Sequence, residues 1–139
     1  MGVLKMEHTL SNRLLRIAVV FAAFGMIWGI YMGHTMSFET KSVHAHLNLV
    51  GWVTTALYGL FYRVVPVSAK GKLPLIHFWL HAIGLPIFMV SLATFYLGGT
   101  ELEQLALAGL AVGPNLVVLG MLLFGVIVFK ATSSRTEPA

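Results

Sequence analysis

The residues of this chain with the clearest chemical potential are its histidines. Six histidines occur among 139 residues, and five of them lie within or beside long apolar stretches: His34, His44, His46, His77 and His81. An ionisable group is costly to place in a membrane, so each of these five is a candidate functional residue. A neutral imidazole is the commonest metal ligand in proteins, so metal binding is the first chemistry that the pattern indicates. His8 precedes the first apolar stretch and carries no such expectation.

The spacing divides these histidines into an outer cluster (His34, His44 and His46) and an inner pair (His77 and His81). Residues two apart on a helix point about 200° apart, so His44 and His46 can each bind a different metal but not the same one. His77 and His81 are four apart and share one face of their helix. At about 1.5 Å per residue, the two groups differ in depth by roughly 15–20 Å and form separate features.

Haem b is the cofactor that the residues around the histidines favour, with one or two haems per chain or haem shared between chains. Haem iron accepts a neutral imidazole on each face and needs an apolar pocket. The chain has no cysteine and no aspartate, which excludes thiolate sites and disfavours sites for hard cations. Copper is a weaker alternative that rests on seven scattered methionines, of which Met32 and Met36 flank His34.

The elements that must position these histidines are membrane helices. Hydrophobic residues make up 58% of the chain and charged residues 10%, against about 25% charged in soluble domains. Four apolar stretches are long enough to cross a bilayer, and we predict transmembrane helices over about 14–34, 43–65, 73–97 and 104–129. Residues 1–139 are therefore expected to form one all-α membrane domain surrounded by lipid. No basic run suggests nucleic-acid binding, and the first stretch is too long for the core of a signal peptide.

Short connections between the four stretches predict an up-down-up-down bundle. Most lysines and arginines lie before the first stretch, at or beyond the end of the second, or after the fourth, for example Lys5, Arg63 and Arg135. By the positive-inside rule, both termini should face the cytoplasm. Glycines at 25, 29 and 33 form a stripe on the first helix. Such a stripe permits the close approach of another helix, which is the more frequent case, or of a flat ring.

Two motifs, in order, resemble part of the haem-copper oxidase catalytic subunit. The first is Val43-His44-Ala45-His46 with Gly51-Trp52 and Gly59-Leu60-Phe61-Tyr62, and the second is Ile76-His77-Phe78-Trp79-Leu80 with Ile83-Gly84. The match is best with C-type oxidases and nitric oxide reductases and covers about residues 34–98. The resemblance implies that His44 corresponds to the ligand of the high-spin haem and His46 to a ligand of the low-spin haem. It also places His34 near the haem propionates and implies a prokaryotic cytoplasmic membrane.

Several parts of that family are missing from the chain. The family subunit has many more helices, and its copper ligands and second low-spin ligand come from helices without a counterpart here. The second ligand could be His34, at similar depth on the neighbouring helix, or could come from another copy of the chain. We therefore expect a homo-oligomer, such as a dimer with haem between protomers.

The main functional hypothesis is a small membrane haem b protein that transfers electrons or binds a diatomic gas such as O2 or NO. In this interpretation, His46 is one axial ligand, and His44 is either a second haem ligand or a contact of the haem propionates. Four residues supply contacts around these ligands: Asn48, Trp52, Tyr58 and Tyr62. The alternatives are an accessory or haem- or copper-carrying assembly protein of a respiratory oxidase, and a purely structural bundle. Catalytic residues and enzyme status stay open. If the chain is an enzyme, the resemblance implies a haem-dependent oxidoreductase that works as an oligomer with a redox partner.

Overall fold

The structure, a computed structural model, describes residues 2–133, with side chains described from residue 9 onward. His8, Lys5 and Arg135 therefore lie outside the described side chains. Within the described residues the chain is entirely helical, and it forms four helices joined by short connections. We label them α1 (Gly2–Thr35), α2 (residues 41–64), α3 (Leu73–Leu97) and α4 (Gly99–Ser133), and a short 3-10 turn, Pro66–Ala69, joins α2 to α3. The predicted all-α class with four helices is confirmed.

Three of the helices are long and apolar enough to cross a membrane. The suitable segments are Thr9–Thr35 of α1, Leu73–Leu97 of α3 and Gly99–Ser133 of α4. Both α1 and α4 extend beyond the apolar stretches found in the sequence, because their polar ends continue the helix. Helix α2 differs from the other three, since it is not an α-helix throughout.

Helix α2 contains eight residues of π-helix in its middle. It begins as an α-helix over Lys41–His46, widens into a π-helix over Leu47–Thr54, and returns to an α-helix over Thr55–Val64. The hydroxyls of Thr54 and Thr55 each donate to the carbonyl oxygen five residues earlier, at 2.8 and 3.0 Å. Such π-helical segments are rare and occur frequently at functional sites. The segment directly follows His44 and His46, and it changes the direction of every side chain after them.

Glycines bring the helices together as two close pairs, α1 with α2 and α3 with α4. A Cβ atom added to Gly29 would lie 2.6 Å from the His44 ring, and one added to Gly25 would lie 2.7 Å from the Asn48 amide. In the second pair, a Cβ atom on Gly84 would lie 2.6 Å from the side chain of Leu116. Contacts this short require glycine, because any larger residue would force the helices apart. Gly25 and Gly29 therefore serve helix packing, whereas Gly33 of the same stripe has open space around it.

Bulky side chains fill the space between the two helix pairs. Towards the α2–α3 connection, the core contains Leu14, Tyr58, Tyr62, Phe78 and Ile127, with Phe124 packed against it. Towards the opposite end, a second core contains Val43, Leu47, Leu85, Met89 and Leu92. The inner pair of histidines lies beside the first of these cores, and the outer histidines of α2 lie beside the second.

Candidate functional site

His44 and His46 occupy the first turns of α2 and point towards different neighbours. The His44 ring faces α1, where its Nδ1 lies 2.9 Å from the carbonyl oxygen of Gly25. The His46 ring packs edge-on against Phe88 of α3, with ring centroids 5.0 Å apart. Both side chains are partly buried. The structure thus places the two imidazoles on opposite sides of the helix, as their spacing requires.

The hydrogen bonds of these two histidines determine which ring nitrogen carries the proton. His46 Nδ1 lies 2.8 Å from the carbonyl oxygen of Ser42. In the same way, His44 Nδ1 lies 2.9 Å from the carbonyl oxygen of Gly25. A carbonyl oxygen only accepts, so each Nδ1 must donate and carry the proton. Each Nε2 then has a free lone pair, and neither forms a hydrogen bond within the described residues. This is the tautomer in which a histidine binds a metal through Nε2 while a backbone carbonyl orients the ring.

The side-chain amide of Asn48 contacts His44. Its amide nitrogen donates to the carbonyl oxygen of His44 at 2.8 Å and lies 3.4 Å from the His44 Nδ1. The absence of a side chain at Gly25 leaves room for this amide. Asn48 therefore contacts His44, and its role at a haem stays a prediction.

Trp52 and His34 are not brought to the other outer residues. Trp52 lies in the π-helical segment with 41% of its surface exposed. His34 is exposed in the last turn of α1, five residues beyond the glycine that faces His44, or about 7–8 Å further along the helix. Within the described residues, neither side chain forms a ring contact or hydrogen bond with His44 or His46. The expectation that His34 supplies the second haem ligand stays a prediction.

The residues that favoured copper do not converge either. Met32 is buried, whereas Met36 is 75% exposed in the loop after α1 with a φ of 52°. The described residues contain no group of three or more histidine, cysteine, aspartate or glutamate side chains arranged for a metal ion.

The inner pair lies in the middle of the bundle, with both rings fully buried. His77 and His81 share one face of α3, as predicted, and their rings are nearly parallel with centroids 6.3 Å apart. Tyr62 Oη lies 2.9 Å from His77 Nδ1, and Thr55 Oγ1 lies 2.7 Å from His81 Nε2. The Tyr58 ring packs edge-on against both imidazoles, at centroid distances of 4.6 and 5.1 Å. Helix α2 thus supplies three side chains to one histidine pair on α3.

These contacts change the role of the two tyrosines. The sequence placed Tyr58 and Tyr62 around a haem held by His46, and the structure places them on the inner pair instead. Sequence reasoning also missed Thr55, the partner of His81. Their spacing carried a signal, because positions 55, 58 and 62 follow the i, i+3, i+7 pattern of one helix face.

The comparisons with known proteins add no relative. No protein family, curated protein or solved structure matches the chain.

Proposed function

We propose that this chain is a membrane haem b protein in which His44 and His46 each bind a haem iron through Nε2. The observation that supports the proposal is the tautomer of both rings, whose Nδ1 atoms donate to carbonyl oxygens of Gly25 and Ser42 and leave Nε2 free to bind iron. Bound haem supplies an iron that changes oxidation state or takes up a diatomic gas. The imidazole donors fit such iron, and the absence of thiolates and aspartates agrees with it.

The two histidines serve different haems in this proposal, because they point to opposite sides of α2. Each described chain then supplies one axial ligand to each iron. A second copy of the chain supplies the other ligand where the iron is six-coordinate, which makes the functional unit a homo-oligomer. Haem held by one histidine would leave a position for gas, whereas haem held by two histidines would serve electron transfer. We propose that the oxidase-like motifs reflect this shared use of a His-x-His pair.

An accessory or assembly protein that carries haem or copper is the second candidate function. His44 and His46 are only partly buried and His34 is exposed, so a cofactor at this end would be open to exchange. Transfer of haem from the loaded protein to apo-myoglobin within minutes would favour a carrier over a resident haem protein.

Optical spectroscopy of detergent-purified protein tests the haem proposal. We expect haem b bands on dithionite reduction, with loss of part of the haem in His46→Ala and in His44→Ala. Bands unchanged by carbon monoxide would indicate six-coordinate iron, and shifted bands an open position. His34→Ala is the matched control, since full haem content in that variant excludes His34 as the second ligand. A colourless protein, even after haem is supplied, would refute the proposal.

We further propose an orientation with both termini in the cytoplasm, in a prokaryotic cytoplasmic membrane. The described connection after α2 carries Lys70 and Lys72, whereas the connection between α3 and α4 is followed by Glu101 and Glu103. The chain has no cysteine, so single cysteines are clean reporters. In intact cells, a membrane-impermeant maleimide should label Ser37→Cys and leave Lys72→Cys unlabelled. The reverse pattern would invert the topology.

A further inference from the structure

Two nitrogen atoms of the inner pair have no partner among the described residues. These are His77 Nε2 and His81 Nδ1, both completely buried. A polar atom buried without a hydrogen bond destabilises the fold, so buried polar atoms are almost always paired with protein or with internal water. Two such atoms on adjacent turns of α3, in side chains that are 0% exposed, indicate a shared third partner.

The proton on His81 is located by its contact with Thr55. The Thr55 hydroxyl has one proton, and its oxygen lies 3.0 Å from the carbonyl oxygen of Val50, which can only accept. Thr55 therefore donates to Val50 and accepts from His81, whose Nε2 lies 2.7 Å away. His81 then carries its proton on Nε2, and its unpartnered Nδ1 is an acceptor.

The proton on His77 is located by Tyr62 in the same way. Tyr62 is 1% exposed, and the only described partner of its hydroxyl is His77 Nδ1, at 2.9 Å. If His77 donated this hydrogen bond, the buried phenol proton would have no acceptor. Tyr62 therefore donates to Nδ1, and His77 carries its own proton on Nε2. The unpartnered atoms are thus one donor, His77 Nε2, and one acceptor, His81 Nδ1.

We propose that His77 and His81 bind one internal water molecule between them. A water accepts from His77 Nε2 and donates to His81 Nδ1, which satisfies both atoms. Because the two bonds meet at an angle at the water oxygen, two hydrogen bonds of about 2.9 Å each span about 4.6 Å between the nitrogens, a separation that rings with centroids 6.3 Å apart can provide. The water completes a line of hydrogen bonds from Tyr62 through both imidazoles to Thr55, which joins α2 to α3 across the interface of the two helix pairs.

A metal ion between the same two nitrogens is disfavoured by the protons. A metal needs a lone pair on each ligand, so His77 would have to move its proton to Nδ1. The buried Tyr62 hydroxyl would then have nothing to donate to. The water site is independent of the haem proposal, because the inner pair shares no described contact with His44 or His46.

Nitrogen NMR of the full-length protein labelled with 15N-histidine, in nanodiscs without added metal or haem, tests the water site. We expect His77 and His81 to be neutral and protonated on Nε2, with magnetisation transfer from water to the His77 Nε2 proton. His44 and His46, protonated on Nδ1, provide the internal contrast. The histidine signals are assigned by sequential NMR assignment of the wild-type protein, so the measurement needs no histidine variant that could fail to fold. A His77 protonated on Nδ1, or no transfer from water, would overturn the proposal.

Two further NMR measurements, one on Tyr62→Phe and one with added metal, test the same water site. Without the Tyr62 hydroxyl, His77 is no longer held as the Nε2 tautomer, and its two nitrogen signals should shift towards an average. The His81 signals should keep their positions, because Thr55 still holds that ring. Zinc or cuprous ion at equimolar concentration should leave both rings unchanged. A metal-induced shift that a chelator reverses would show a metal site and refute the water.

Discussion

Replacing Thr55 with valine tests the hydrogen bond that joins α2 to His81. Thr55 is completely buried, and its hydroxyl both accepts from His81 Nε2 and donates to Val50. Valine has almost the same shape, so packing is preserved and only the hydroxyl is lost. The Val50 carbonyl belongs to the helix backbone, whereas the His81 N–H has no alternative acceptor among the described residues. The variant therefore leaves one buried donor unpaired.

The size of the effect follows from that unpaired donor. A buried polar group that loses its partner costs about 1–3 kcal/mol, and hydrogen bonds between membrane helices have measured coupling energies of about 0.6 to 1.7 kcal/mol. We expect Thr55→Val to lower the free energy of unfolding by about 1–2 kcal/mol.

Thr54→Val is the matched control for this prediction. Thr54, the last residue of the π-helical segment, directly precedes Thr55, and its hydroxyl also donates to the carbonyl oxygen five residues earlier, Leu49, at 2.8 Å. Among the described residues it has no histidine partner. Both variants lose the same kind of backbone contact, so a larger loss in Thr55→Val reports the His81 bond together with the full burial of Thr55. Unfolding in mixed detergent and denaturing surfactant measures both free energies. Equal losses in the two variants would refute the assigned contact between Thr55 and His81.

Two further pairs of variants test the packing and the inner pair. Gly29→Ala should disturb His44, because the added Cβ atom would lie 2.6 Å from its ring. It should lower thermal stability and haem content, whereas Gly33→Ala, with open space around it, should be neutral or stabilising by up to about 1 kcal/mol. Tyr62→Phe removes the partner of a buried imidazole and should cost about 1–3 kcal/mol in surfactant unfolding. Tyr58→Phe should cost less than about 1 kcal/mol, because the one described partner of its hydroxyl is the sulfur of the exposed Met121, at 3.0 Å. Similar losses within either pair would contradict the described contacts.

The two groups of histidines differ in the atoms that orient them. Backbone carbonyls hold His44 and His46 with Nε2 free, the arrangement that suits a ligand. Hydroxyl groups hold His77 and His81 and bind them into the protein interior. Both groups look alike in the sequence, since each consists of imidazoles in an apolar stretch. This difference is the basis for proposing cofactor binding at the outer cluster and a stabilising role for the inner pair.

The sequence alone determined the helical class, the four helices and the relations between residues on one helix. The helical repeat and the length of an apolar stretch are local properties of the sequence. With 3.6 residues per turn, His44 and His46 must point in opposite directions, and His77 and His81 must share one face. The glycine stripe on α1 likewise predicted close packing, which the structure confirms at Gly25.

Only the tertiary structure decided which side chains meet across helices. The π-helical segment over Leu47–Thr54 turns the later residues of α2 by an amount that no sequence period predicts. It directs Thr55, Tyr58 and Tyr62 towards α3 and away from the outer cluster. The choice between a ligand and a packing residue depends on the partner of each ring nitrogen. That partner comes from another helix for three of the four histidines on α2 and α3, so its identity depends on how the helices pack.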